Sequence, residues 1–316
     1  MTLLIDGPTA LFGGLIDYAG IFPPALLALD DAAVEYRSAR RGEHAWMLGR
    51  FLATTSRLED LAGVLTRSMT TGEAPWPVGA IVDEAPGVGA LHAQVFERHM
   101  SPAVRVETVE ARLPQEASDG RTEAAAAAIV RPFAEALISI SAEVVPYLEV
   151  ARGDNWQTGM TNAVAAVASV RSGLLRTIGA KLRTGGTEPA AFPSPEQVAR
   201  FIVACRDNGL SYKATAGLHH PIRHRDDELQ VMRHGFLNLL VAGAVAKAGG
   251  SEKEIIAAIR EENADVFNVS AGGLRFADVR FAIPVIRSMR ATLFPAYGSC
   301  SFVEPVDDLA AMGLLS

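Results

Sequence analysis

An alternation constrains this chain more than any other feature: eight short apolar runs of strand length are interleaved with stretches of helical spacing, and Pro, Gly and Asp punctuate the joints. The strand-like runs span residues 46–55, 77–83, 103–109, 145–150, 177–183, 210–216, 266–270 and 298–303. A helical stretch at 24–41 precedes them, and others follow at 58–68, 88–100, 121–137, 162–171, 227–247, 251–262 and 276–291. After the fifth run, Ser194 as N-cap, Pro195 at the first helical position and Asn208-Gly209 at the exit bound one more helix. Eight strand-helix alternations without a linker predict one α/β domain over 1–316, a single (β/α)8 TIM-like barrel. Residues 1–45 read as an N-terminal helical extension. A doubly wound α/β sheet is the alternative topology for the same order of elements.

Composition narrows the partners. Of the 316 residues 49% are hydrophobic and 21% charged, which excludes a disordered or fibrous chain. The net charge of −7 leaves no broad basic face for nucleic acid. The most apolar later stretch, Gly235 to Gly250, is broken by Asn238 and Lys247 and falls short of the roughly 20 residues that cross a membrane. The N-terminus has no basic region ahead of its apolar residues, so a cytoplasmic location is expected. Cys205 and Cys300 form no C-x-x-C pair and read as small buried hydrophobes. The helix Phe236 to Ala248 is apolar enough to serve a homo-oligomer interface.

Barrel strands alternate between an apolar outer face and a lumen whose carboxyl end carries the active site. Parity then places Lys181 and Arg183 inward on the fifth predicted strand, Lys213 and Thr215 on the sixth, and Tyr147 and Glu149 on the fourth. On the first three predicted strands it places Arg50 and Thr54, Asp83, and Arg105 and Glu107 inward. Only four of the 29 Lys and Arg residues are lysines, and two of them fall in this lumen. A lysine, unlike arginine, can lose its proton near a second cation and attack a carbonyl. Pairing of Lys181 and Lys213 with Glu149 and Glu107 is the purely structural alternative.

Around the lysines, Arg183-Thr184-Gly185-Gly186 offers a guanidinium fork and open backbone amides to an anion, and Ser270-Ala-Gly-Gly273 is a second candidate seat. His219, His220, His224 and His234 lie within sixteen residues, the first two directly after the Lys213 strand. They suit proton transfer or substrate hydrogen bonding. A divalent metal held by His219, His220 and Glu149 or Asp83 is the alternative, and otherwise no cofactor is implied. Asp17 either caps or pairs beneath the barrel or reaches the lysines from a segment folded over the mouth. Parity points Ser299 inward as a further substrate contact.

The segment Tyr212-Lys-Ala-Thr-Ala-Gly217 resembles the Lys-Thr-Ser-Thr-Gly segment of the deoxyribose-phosphate aldolases, TIM-barrel enzymes in which a sixth-strand lysine forms a Schiff base. The resemblance covers about six residues. It implies an imine on Lys213, with Lys181 as the perturbing cation. The longer stretches Lys181 to Gly186 and Lys213 to Pro221 also resemble those of a widespread bacterial group without assigned activity. The expected function is a carbon–carbon lyase acting on a small anionic carbonyl metabolite. Glu149, His219 or His220 would move the proton, and Arg183, Gly185 and Gly186 would hold the anion. A metal-dependent hydrolase or isomerase and a non-catalytic metabolite-binding barrel are the rival readings.

Overall fold

Parallel strands that are apolar on the outside must be covered by helices, and here the strands curl until the first meets the last. The computed structural model describes residues 6–70, 72–83, 102–119, 122–139, 143–153, 155–175 and 177–315. Its barrel contains β1 (Ile16–Tyr18), β2 (Leu48–Thr54), β3 (Trp76–Ile81), β4 (Val104–Arg112), β5 (Val145–Glu149), β6 (Gly179–Arg183), β7 (Tyr212–Thr215) and β13 (Tyr297–Ser299). The closed order is β1-β13-β7-β6-β5-β4-β3-β2, with every neighbouring pair parallel. This is the single (β/α)8 barrel expected, and a doubly wound open sheet does not describe it. The helix expected at 88–100 lies outside the described residues.

Two staves differ from the sequence reading. Residues 266–270 do not enter the barrel: β10 (Phe267–Ser270) pairs antiparallel with β11 (Gly273–Phe276), which pairs with β12 (Val279–Ala282). Along β10 Phe267 and Val269 are buried while Asn268 and Ser270 are exposed. That one-sided alternation belongs to an antiparallel sheet with a wet face, not to a parallel strand buried on both sides. The missing stave is Ile16–Tyr18, buried at all three positions and flanked by β13 and β2. Residues 1–45 are therefore more than an extension, since they supply a barrel strand along with α1 (Gly7–Phe12) and α2 (Leu29–Arg41).

The outer layer holds α3 (Leu58–Ser68), α4 (Glu123–Ile138), α5 (Trp156–Leu174), α6 (Pro195–Asp207), α7 (Phe236–Lys247), α8 (Glu252–Arg260), α9 (Ile283–Thr292) and α10 (Val303–Ala311). Ser194 begins α6 with a reciprocal cap: its hydroxyl accepts from Gln197 N, and Gln197 Oε1 accepts from Ser194 N at 2.8 Å. The helix expected over 227–247 starts only at Phe236. Before it, β8 (His224–Asp226) and β9 (Val231–Arg233) form a hairpin. Asp226 makes that turn by accepting from Leu229 N at 2.8 Å and pairing with Arg233. Helix α7 is apolar because it is buried within the chain from Phe236 to Ala244. Among the described residues no helix is long and apolar enough to cross a membrane.

Candidate active site

The lumen of the barrel holds a line of charges that alternate in sign. Lys213 on β7 lies 2.6 Å from Asp17 Oδ2 on β1 and 2.5 Å from Glu110 Oε1 on β4. Glu110 Oε2 lies 2.7 Å from Lys181 on β6, and Lys181 reaches Glu149 Oε2 on β5 at 3.0 Å. Glu149 then pairs with Arg183 at 3.1 Å, while at the other end Asp17 Oδ1 accepts from the Arg50 backbone amide at 2.7 Å and faces its guanidinium. The order is Arg50, Asp17, Lys213, Glu110, Lys181, Glu149, Arg183. Five of the seven, all but the two arginines, have side chains no more than 7% exposed.

Register places the lysines together. Lys181 pairs with Lys213 across β6–β7 and with Glu149 across β5–β6, so the three side chains enter the lumen at one height. The two carboxylates that bind Lys213 instead arrive through irregularities. Between β3 and β4 the pairing slips from Val78↔Val106 to Gly79↔Thr108, so one extra residue reverses the parity of β4 and turns Glu110 inward. Glu107, the inward residue by simple alternation, stands at this slip and pairs with Arg50 at 3.0 Å and with Arg105. The β1–β2 register also shifts opposite Asp17, where Gly49 leaves room: a Cβ there would fall on Asp17 Oδ1.

Electrostatics follow from this pairing. Burial alone would lower the Lys213 pKa, but Asp17 and Glu110 outweigh it and raise it. Lys181 is likewise penalised by burial and raised overall by Glu110 and Glu149. The expected depression of Lys213 by Lys181 is therefore overturned, because a shared carboxylate stands between the two ammonium groups. Burial would raise Glu110, yet the two lysines bring it down to about 2. Glu149 is also lowered, its desolvation overcome by Lys181 and Arg183, and this makes it a weak resting base.

The remaining predicted site residues divide between the mouth and positions away from it. Arg183 is half-exposed with one nitrogen on Glu149, so it keeps donors for an anion. The Thr184 hydroxyl donates to Thr215 O at 2.9 Å and Ala216 O at 2.6 Å, and Gly185 lies against Gly217; both stitch the loops after β6 and β7. Gly186 follows on the same loop, at the mouth. Thr215 stands inward beside its register partner Gly298. Because Gly298 takes the lumenal position of β13 and Tyr297 stacks on Phe236 of α7, Ser299 faces outward with Tyr297. The inward parity expected for Ser299 is thus reversed. Asp83 accepts from Thr55 Oγ1 at 2.9 Å and from Ser56, away from the lysines. The hairpin at 270–273 packs on Gly7 of α1, which leads into β1, and so lies at the end of the barrel opposite the mouth.

Directly after β7, Ala216 and Gly217 both take positive φ, 65° and 74°, and turn the chain into the histidine loop. His219 Nδ1 lies 2.8 Å from Glu304 and His220 Nδ1 2.6 Å from Asp308, two carboxylates one turn apart on α10. Both histidines line a cavity of about 420 Å³ with Pro24, Ala25, Cys300 and Ser301. His234 lies apart from it, fully buried, with Nε2 on Pro193 O at 2.8 Å. Among the described residues no three His, Cys, Asp or Glu side chains converge as metal ligands. Sequence parity missed Glu110 because the slip after Val106 reverses the alternation that put Glu107 inward; the signal available was a second glutamate embedded in Thr-Val-Glu-Ala. No protein-family model and no curated protein matches the chain, so its chemistry rests on the site's own residues.

Proposed function

We propose that this barrel is a carbon–carbon lyase that forms an imine between a lumenal lysine, Lys213, and a small anionic carbonyl compound. The observation that carries the reading is the bridge Lys181–Glu110–Lys213, with one carboxylate 2.7 and 2.5 Å from the two nitrogens. Such a bridge can move a proton between two amines without releasing it to water. Lys213 passes a proton to Glu110 as the carbonyl approaches, and its nitrogen lone pair forms the C–N bond. Lys181 then protonates the departing hydroxyl, which leaves as water. The resulting iminium accepts the electron pair of the cleaved C–C bond while a carboxylate of the charge line takes the proton of the leaving fragment's hydroxyl. That proton is returned to the enamine carbon, and water hydrolyses the iminium so restored to regenerate the amine. Arg183 at the rim holds the substrate's phosphate or carboxylate.

One observation favours a variant of this reading. The segment resembling the aldolases lies on β7, whereas the sixth barrel strand, where that family places its Schiff base, carries Lys181. Borohydride trapping with a panel of aldehydes, sugar phosphates and 2-oxo acids, followed by intact mass and peptide mapping, decides between them. The expected result is one adduct on Lys213, absent from Lys213→Arg. An adduct on Lys181 transfers the nucleophile to β6. No adduct with any carbonyl compound overturns the lyase reading, and tight binding without turnover that survives Lys213→Arg assigns a metabolite-binding barrel.

A further inference from the structure

The cavity of about 420 Å³ beside the mouth is walled by the loops after β1, β7 and β13, so it opens on the carboxyl face of the barrel. Inside it His219 uses its two ring nitrogens on two different partners. Nδ1 lies 2.8 Å from Glu304 Oε2, and Nε2 lies 3.5 Å from the Cys300 sulfur. A carboxylate can only accept, so Nδ1 carries a hydrogen, and the tautomer with that single hydrogen turns Nε2 to the thiol as an acceptor. The three groups form a line, not a converging set, which suits a proton relay and not a metal. Cys205, by contrast, is fully buried in α6.

We infer that Cys300, His219 and Glu304 form a nucleophilic triad that cleaves small acyl compounds, esters or thioesters, in this cavity. This inference is independent of the lysine chemistry, since none of its groups belongs to the lumenal charge line. Burial pushes the Cys300 thiol up, so the resting sulfur holds its proton and needs a base. His219 Nε2 takes that proton as the sulfur bonds to the acyl carbon. The tetrahedral adduct collapses when the same proton passes to the leaving alcohol or thiol. Water, deprotonated by His219, then attacks the thioester, releasing the acid and restoring the thiol. Glu304 is a positioning residue: it fixes the ring orientation and stabilises the imidazolium.

The second pair on α10 supplies the contrast. Asp308 pairs with His220 Nδ1 as Glu304 does with His219, but the ring neighbour of His220 is His224, perpendicular to it at 4.7 Å between centroids, instead of a nucleophile. Docking of α10 alone would explain two histidine–carboxylate pairs; it does not explain a sulfur on the free nitrogen of one of them.

The test is acylation of the whole protein by p-nitrophenyl acetate, read as a stoichiometric burst of p-nitrophenolate and as the mapped position of the acetyl group. The expected result is acetyl on Cys300, retained in Cys205→Ala and absent from Cys300→Ala. In His219→Gln the burst rate should fall by about a hundredfold or more, the span of general-base catalysis. Glu304→Gln, at a half-exposed position that folding tolerates, should slow it less and shift its pH profile. Acetyl found only on lysines, or a burst equally fast with and without the His219 ring, overturns the triad. If His219→Gln does not fold, the map of the native protein and the Glu304→Gln rate decide.

Discussion

Two parts of the carboxyl face treat charge in opposite ways. In the lumen, Asp17, Glu110, Glu149, Lys181 and Lys213 are withdrawn from water and neutralise one another along a single line. In the neighbouring cavity, His219 and His220 pair with Glu304 and Asp308, whose side chains are 52% and 36% exposed. The first arrangement cannot lose one member without stranding another in low dielectric, whereas in the second both carboxylates reach water themselves. The comparison separates a site set by the fold from one set by a loop and a single helix. A reaction in the lumen must move protons within a closed set, and a reaction in the cavity can exchange them with solvent.

Removing the shared carboxylate should disturb the lumen most. Glu110→Gln leaves two buried ammonium groups with one partner fewer each, and we expect a loss of about 3–5 kcal/mol. Urea unfolding measures it. The double variant Glu110→Gln, Lys213→Met should be less destabilised than the sum of its single changes, because the stranded charge is removed with its partner. A loss below about 1 kcal/mol for Glu110→Gln would mean that water reaches the lumen and that the two regions are not different in kind.

Acid tests the lumen next, against a buried histidine outside the cavity. Glu110 has a folded pKa of about 2 against an ordinary value of 4.5, so its contribution is complete above about 4.5 and disappears as pH falls towards 2. That difference is worth on the order of 3 kcal/mol. His234, at the far end of the histidine loop, is held neutral by burial with a pKa lowered to about 4. Its contribution is complete above about 6.5 and declines as pH falls towards 4. Stability measured against pH should therefore fall in two steps, and His234→Gln should shrink the upper step, to which His224, also lowered by burial, contributes, and leave the lower one. A single step below pH 4.5 in the unaltered protein would refute the upper assignment.

Much of this architecture is legible in the sequence, and what escaped it has a physical reason. Lys181, Lys213 and Glu149 lie on strands of regular pleat, where counting by two gives the lumenal face, and all three are found there. Glu110 and Asp17 lie where a register slips, and one extra residue cancels any parity argument. Asp17 does meet Lys213, but from a barrel strand and not from a segment folded over the mouth. Three residues are too few to show periodicity, so the first stave was invisible while the solvent-facing β10 resembled one. Cys300 reads as packing in a linear sequence because its partner His219 is 81 residues away. A smaller test probes the same slips: Gly49→Ala should push Asp17 off its place, with a loss of about 1–3 kcal/mol in urea.

The exposed pairs on α10 should respond least. Glu304→Gln and Asp308→Asn should each change stability by no more than about 1 kcal/mol, since both carboxylates are partly exposed and their ion pairs are weakened by solvent. Added salt should shrink even that difference, while leaving the loss in Glu110→Gln nearly unchanged, because ions screen exposed pairs and do not enter the lumen. Urea midpoints at low and high salt make the measurement. The two α10 variants should be alike in stability and unlike in acylation, because only Glu304 orients a ring that faces sulfur. Equal effects on both readouts would reduce the two histidine pairs to one role, the docking of α10 on the loop after β7.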